Sequence, residues 1–116
     1  VSLDRGRWMD IFVEPDWEPL CQDEKQQQRV LGKDGARKLR ARLEDLAAAG
    51  NVSELVAGRP HPLTGDRVGC FALDLHKGWR LVFAPAHQPI PQHDAGGIAW
   101  ERVTAVRIVY VGDYHD

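Results

Sequence analysis

Long apolar runs are missing from this sequence: none approaches the ~20 residues that a membrane-spanning helix needs. A secretory leader pattern is missing as well, since the opening VSLDRGRWMD is polar and charged. The two absences make a cytoplasmic protein without a membrane partner the expectation. Cysteine is scarce. Cys21 and Cys70 are too few for a disulfide scaffold and lack the spacing of a metal site. His76, His87 and His93 form no His-Glu-x-x-His pattern, so neither zinc nor any other cofactor is expected. A surplus of positive charge is also missing. The formal net charge of −2 excludes a protein that holds nucleic acid by bulk electrostatics alone.

What is present suits one globular domain spanning residues 1–116, with 43% hydrophobic and 28% charged residues. Charge is unevenly distributed. Residues 25–42 hold Lys25, Arg29, Lys33, Arg37, Lys38, Arg40 and Arg42 against the single acid Asp34. Residues 1–24 have the opposite bias, with seven acids against Arg5 and Arg7.

WMDIFV (8–13) reads as a first strand, ended by Pro15 and Pro19. Residues 20–31 read as a helix stopped by Gly32. A second helix follows, with Asp34 as N-cap and Gly50 just past its end. Leu39, Leu43 and Leu46, with Ala36 and Ala47, supply its apolar stripe. NVSEL (51–55) suits one helical turn, and GRPHPLTGDRVG (58–69) is turn-rich. CFALDL and WRLVFAP alternate around a short HKG hairpin, residues 86–100 read as a long loop, and TAVRIVYVGDYH is the last strand. This order predicts an α+β fold, with an N-terminal strand and two helices packed on an antiparallel sheet of about four strands.

Strand alternation sets Arg80 opposite Trp79, Leu81 and Phe83, away from the core. In the last strand Arg107, Asp113 and His115 share one parity, and Val106, Ile108 and Tyr110 the other. Val109 and Val111 disturb this scheme by falling on the polar side, and Gly112 suggests a bulge near the end. Each residue also has an ordinary reading. His115 is a surface imidazole at a chain end, Asp113 a turn residue, Tyr114 and Tyr110 half-buried strand aromatics. His61 is a loop histidine between prolines, Arg80 an ion-pair partner, and the 25–42 stretch a solvated helix face.

Taken in order, His61-x-Leu63-x-Gly65-Asp66-Arg67, then Trp79-Arg80, then Asp113-Tyr114-His115 resembles the RelE/ParE toxin superfamily, and within it the HigB-type killer toxins. The similarity runs from about Ala36 to the end. It implies a RelE-like fold and a toxin of a type II toxin–antitoxin pair that acts as a metal-independent endoribonuclease on mRNA, at the ribosome. It also implies a cognate helix-turn-helix antitoxin of HigA type. The catalytic set carried over is His61, Arg80, Asp113, Tyr114 and His115. RNA or ribosome contacts are expected from Lys25, Arg29, Lys33, Arg37, Lys38, Arg40, Arg67 and Arg107. Thr64 stands where relatives often have Lys. A toxin of the same fold that inhibits a protein target such as gyrase, without chemistry, is the alternative.

Overall fold

The computed structural model describes residues 9–113. Its sheet has five strands: β1 (Asp10–Val13), β2 (His61–Pro62), β3 (Phe71–Asp74), β4 (Arg80–Pro85) and β5 (Ala105–Gly112). Their spatial order is β1-β5-β4-β3-β2. The sheet is therefore mixed rather than antiparallel throughout, and has one strand more than expected. β1 runs parallel to β5, with Phe12 opposite Arg107. The extra strand is β2, drawn from the turn-rich segment where His61 reads as a loop residue. Its two residues are too few to show a period, and Pro62 disguises them. Trp8, the start of the expected first strand, lies outside the described residues.

Two helices pack on one face of the sheet: α1 (Glu18–Gln22) and α2 (Glu24–Ala48). α2 is broken at Gly32, whose φ of 75° and ψ of 175° are not helical. The expected stop is thus a kink, and the chain resumes its helix directly after it. Asp23, not Asp34, is the N-cap, accepting a hydrogen bond from the Lys25 backbone N–H at 2.9 Å. Asp34 pairs instead with Arg37 at 3.1 Å. At the other end Ala49 turns the helix off in an extended conformation, and the Gly50 N–H is taken up by the Glu54 carboxylate at 2.9 Å.

Leu39 and Leu46 are fully buried, Ala36 is buried beside them, Leu43 is half-buried and Ala47 is exposed. Their partners are alternate residues of the central strands: Leu73, Leu81, Phe83, Val106, Ile108 and Val111. Phe71 stacks obliquely on Phe83 and on Trp100, with ring centroids 5.7 and 4.8 Å apart. Fully burying each such aliphatic or aromatic side chain contributes about 1.5–3 kcal/mol. The 86–100 segment is a loop as expected, anchored where His87 Nε2 accepts the Thr104 and Ala105 backbone N–H groups at 2.9 and 3.2 Å. No helix among the described residues is long and apolar enough to cross a membrane.

Gly32 carries the prediction here. Nothing lies within 4 Å of a Cβ added to it, so Gly32→Ala tests backbone conformation alone. Its φ,ψ pair belongs to a region essentially reserved for glycine, so urea unfolding should show a loss of about 1–3 kcal/mol. A straight helix through residue 32 would make the same variant neutral or stabilising.

Candidate functional site

The face of the sheet turned away from the helices collects the polar residues, and the register shows how. Leu73, Leu81 and Val111 point into the helix-packed core, so their neighbours Asp74, Arg80 and Gly112 form a row on the other side. One step along, His61, Ala72, Val82 and Tyr110 form a second row across four strands. A third row is Phe12, Arg107 and Ala84.

Tyr110 belongs to this face because the ladder slips. Val82 pairs with Tyr110 but Phe83 pairs with Ile108, which leaves Val109 as an extra residue. From Ala105 to Ile108 the alternation sets Arg107 on the open side. After the bulge Tyr110 is open and Val111 is buried. The parity expected for the last strand is therefore corrected: Tyr110 does not share a face with Val106 and Ile108. Val111 is no longer an apolar intruder among polar residues. The bulge sits at Val109, three residues before the glycine that suggested one.

Tyr110 is held from several sides. The Arg67 guanidinium lies 4.7 Å from its ring centroid, and Trp17 meets it edge-on at 5.2 Å. Below the ring is Gly112, where an added Cβ would come within 2.5 Å of the phenol oxygen. Arg67 is presented by a 3-10 turn (Gly65–Arg67) whose ends are closed by hydrogen bonds from Arg67 N to Thr64 O and from Val68 N to Gly65 O, at 3.2 and 3.1 Å. Leu63, Ala72 and Val82 form a small apolar floor beneath, joined at its margin by Cys70 and Val109.

Arg80 and Asp74 dominate the adjoining row. Arg80 Nε is 3.3 Å from one Asp74 carboxylate oxygen, and Arg59 Nε donates to the other at 2.8 Å. Only 12% of the Arg80 side chain is exposed, so its position is set by the fold rather than by solvent. A cavity of about 300 Å³ opens beside it, lined by Arg59, Asp74, Leu75, Gly78, Trp79 and Arg80. His61 Nδ1 lies 2.7 Å from the Arg59 carbonyl oxygen. A carbonyl only accepts, so Nδ1 carries the proton and the neutral ring has its lone pair on Nε2.

Asp113 is exposed, one residue past the Gly112–Arg80 pair. Tyr114 and His115 lie outside the described residues. The structure thus brings His61, Arg80 and Arg67 to one face, with Arg107 at its β1 side. Asp113, past the end of β5, has the parity of the buried Val111 after the bulge, so the expected sharing of a face by Arg107 and Asp113 is corrected too. The basic stretch is elsewhere, on the helix that covers the opposite face. There Lys25, Lys33 and Lys38 are exposed, and Arg29 contacts Gln26 at 3.2 Å. Arg37 is paired with Asp34, and Arg40 reaches Glu24 at 3.5 Å and the buried Gln27 at 3.2 Å. Asp74 and Arg59 have no role in the sequence reading, and Tyr110 enters it only as a half-buried strand aromatic on the core parity. The clash of Val109 and Val111 with the polar parity was the one available signal for Tyr110.

Neither thiol is a ready nucleophile. Burial pushes the Cys21 thiol up to about 11. Burial also raises Cys70, Arg67 pulls it partly back, and Glu14 adds to the rise.

No protein-family model and no curated protein sequence matches the chain. Solved structures do. The chain is similar to a chain of the YoeB–YefM complex from Staphylococcus aureus, with TM-score 0.53 and 18% identity over 93% of this chain and 98% of that one. It is similar also to the YoeB/ParE toxin from Agrobacterium tumefaciens, with TM-score 0.55 and 16% identity over 92% of this chain and all of that one. At such identities the likeness is one of fold, and it runs through nearly the whole chain. The α+β fold of these structures is what the chain adopts.

Gly112→Ala should force the Tyr110 ring from its seat. Overpacking of this kind costs about 1–3 kcal/mol in thermal or urea unfolding. The variant should also change the tyrosine environment seen by near-ultraviolet circular dichroism. Unchanged stability and spectrum would mean that Tyr110 does not rest on Gly112.

Proposed function

We propose that this protein is the toxin of a type II toxin–antitoxin pair and cleaves RNA on the sheet face that bears Arg80. The observation that carries the reading is the placement of His61, Arg80 and Arg67 on the one face the helices leave open, with Arg67 stacked on Tyr110. The fold shared with the YoeB-type toxins supports it.

The chemistry is transesterification without a metal. A ribose 2′-oxygen attacks its own 3′-phosphorus, the new 2′-O–P bond forms, and the bond to the next nucleotide's 5′-oxygen breaks. The products are a 2′,3′-cyclic phosphate and a 5′-hydroxyl, so one proton leaves the 2′-OH and one reaches the 5′-oxygen. His61, with its lone pair on Nε2, suits the base. His115 is assigned the acid, and Asp113 and Tyr114 are assigned to orient it and the scissile phosphate. Arg80 stabilises the charge that grows on the phosphorane, and its contact with Asp74 holds it ready before substrate arrives. The partner assigned to the intact cell is a cognate antitoxin, as in the YoeB–YefM toxin–antitoxin complex. A HigA-like helix-turn-helix antitoxin is the particular form we favour. Lys25, Arg29, Lys33 and Lys38 are the α2 cations we assign to ribosomal RNA, with Arg37 and Arg40 committed in part to Asp34, Glu24 and Gln27.

Purified protein should cleave mRNA added to translating ribosomes. Arg80→Ala should lower that rate about 10²–10³-fold, the usual effect of removing one transition-state donor. Arg80→Lys should recover only part, because it keeps the charge and loses the planar fork. Equal rates for all three proteins would remove Arg80 from the reaction.

Expression alone should arrest bacterial growth, and His115→Ala should relieve the arrest. Loss of a general acid costs about 10²–10⁴-fold. A folded His115→Ala protein that stays fully toxic would contradict the acid role.

A further inference from the structure

Phe12 is 49% exposed in the middle of β1, an edge strand, although its neighbours Ile11 and Val13 pack against the core. A large aromatic ring left half in water normally finds an apolar neighbour. Here its neighbour is a cation: the Arg107 guanidinium sits 5.5 Å from the ring centroid. The two are cross-strand partners, so the register fixes the pair. They share the open face with Arg67, Tyr110 and Arg80, and Phe12 stands at its outer edge.

We infer that Phe12 and Arg107 form a stacking platform for an unpaired base of the RNA, one that lies outside the reacting centre. This deepens the proposed ribonuclease reading and rests on it. Along β4, Ala84 in the Arg107 row and Arg80 are four residues apart, which at strand rise is about 13 Å. Phe12 also lies two strands across from β4, so its ring does not meet the phosphate that Arg80 contacts. The platform holds a flanking nucleotide instead. An aromatic face and a guanidinium plane together suit any base, because every base presents a π-face and every linkage carries an anion. The acids Asp10, on β1, and Glu14, just past its end, flank Phe12, so an incoming strand is drawn to the Arg107 side and led inward toward Arg67 and Arg80. A platform of this kind gives a protein of formal net charge −2 a grip on single-stranded RNA that bulk electrostatics does not supply.

The probe is a short fluorescein-labelled 2′-O-methyl oligoribonucleotide, which binds without being cleaved, followed by fluorescence anisotropy with the full chain. Phe12→Ala and Phe12→Leu should each weaken binding about tenfold. Phe12→Trp should bind at least as tightly as the wild type. Arg107→Ala should weaken binding and flatten its salt dependence. In cleavage, Phe12→Ala should raise KM for a long substrate and leave a dinucleotide, which cannot reach the platform, unaffected. Full affinity in Phe12→Leu would show that apolar bulk suffices, and would overturn stacking. Wild-type affinity in Phe12→Ala, with Arg80-dependent cleavage intact, would overturn the platform alone and leave the β1 edge to a protein strand. Failure of the wild type both to bind and to cleave RNA would overturn the platform together with the reading of the face.

Discussion

One extra residue in β5 decides which side chains meet on the open face of this protein. A strand of ideal pleat running from Ala105 to Gly112 would set Tyr110 in the core with Ile108, and Val111 in water beside Arg107. With Val109 left over, the pleat inverts halfway along the strand. Ile108 and Val111 are then both buried, and Tyr110 and Gly112 turn to the side that carries Arg80. A bulge costs a ladder hydrogen bond and local regularity. In return the core keeps its apolar residues and the face gains an aromatic ring between two arginines. The seating of Tyr110 on Gly112, the stack with Arg67 and the edge contact with Trp17 all depend on that single slip.

Charge is divided between the two sides of the sheet. On the helix side the cations of α2 are exposed or tied to neighbouring acids and amides within the first half of the chain. On the open side they are few but placed by the sheet. Asp74 is the device that places them, since one carboxylate meets both Arg59 and Arg80 across adjoining segments. An arginine whose side chain is only 12% exposed needs such a partner, because an uncompensated buried cation is costly. The outcome is an arginine whose guanidinium is held in one place by the fold.

Much of this was legible in the residues. Alternation in CFALDL and WRLVFAP places β3, β4 and their hairpin, and Arg80 opposite Leu81 and Phe83 faces outward as its parity says. The leucine stripe of α2 finds the core, and Gly32 breaks the helix. Other features needed the folded chain. The parallel pairing of β1 with β5 joins residues nearly the whole chain apart, and nothing local in DIFV states a direction. β2 is two residues long, so no pattern announces it, yet it brings His61 from the turn-rich segment to the row of Tyr110. The bulge left only a trace, in two valines on the wrong parity. Asp74 reads as one more polar residue of an alternating strand until Arg59 folds back upon it.

The central claim is that the RNA to be cleaved lies on the sheet face, whatever the basic helix contacts. It is tested most directly by titrating uniformly ¹⁵N-labelled protein with a short 2′-O-methyl oligoribonucleotide and mapping the amide shifts. The account predicts that shifts gather on His61, Ala72, Arg80, Arg107 and Tyr110, in the three rows of the open face. Shifts confined to Lys25–Arg42 of α2, with those strands unmoved, would contradict it.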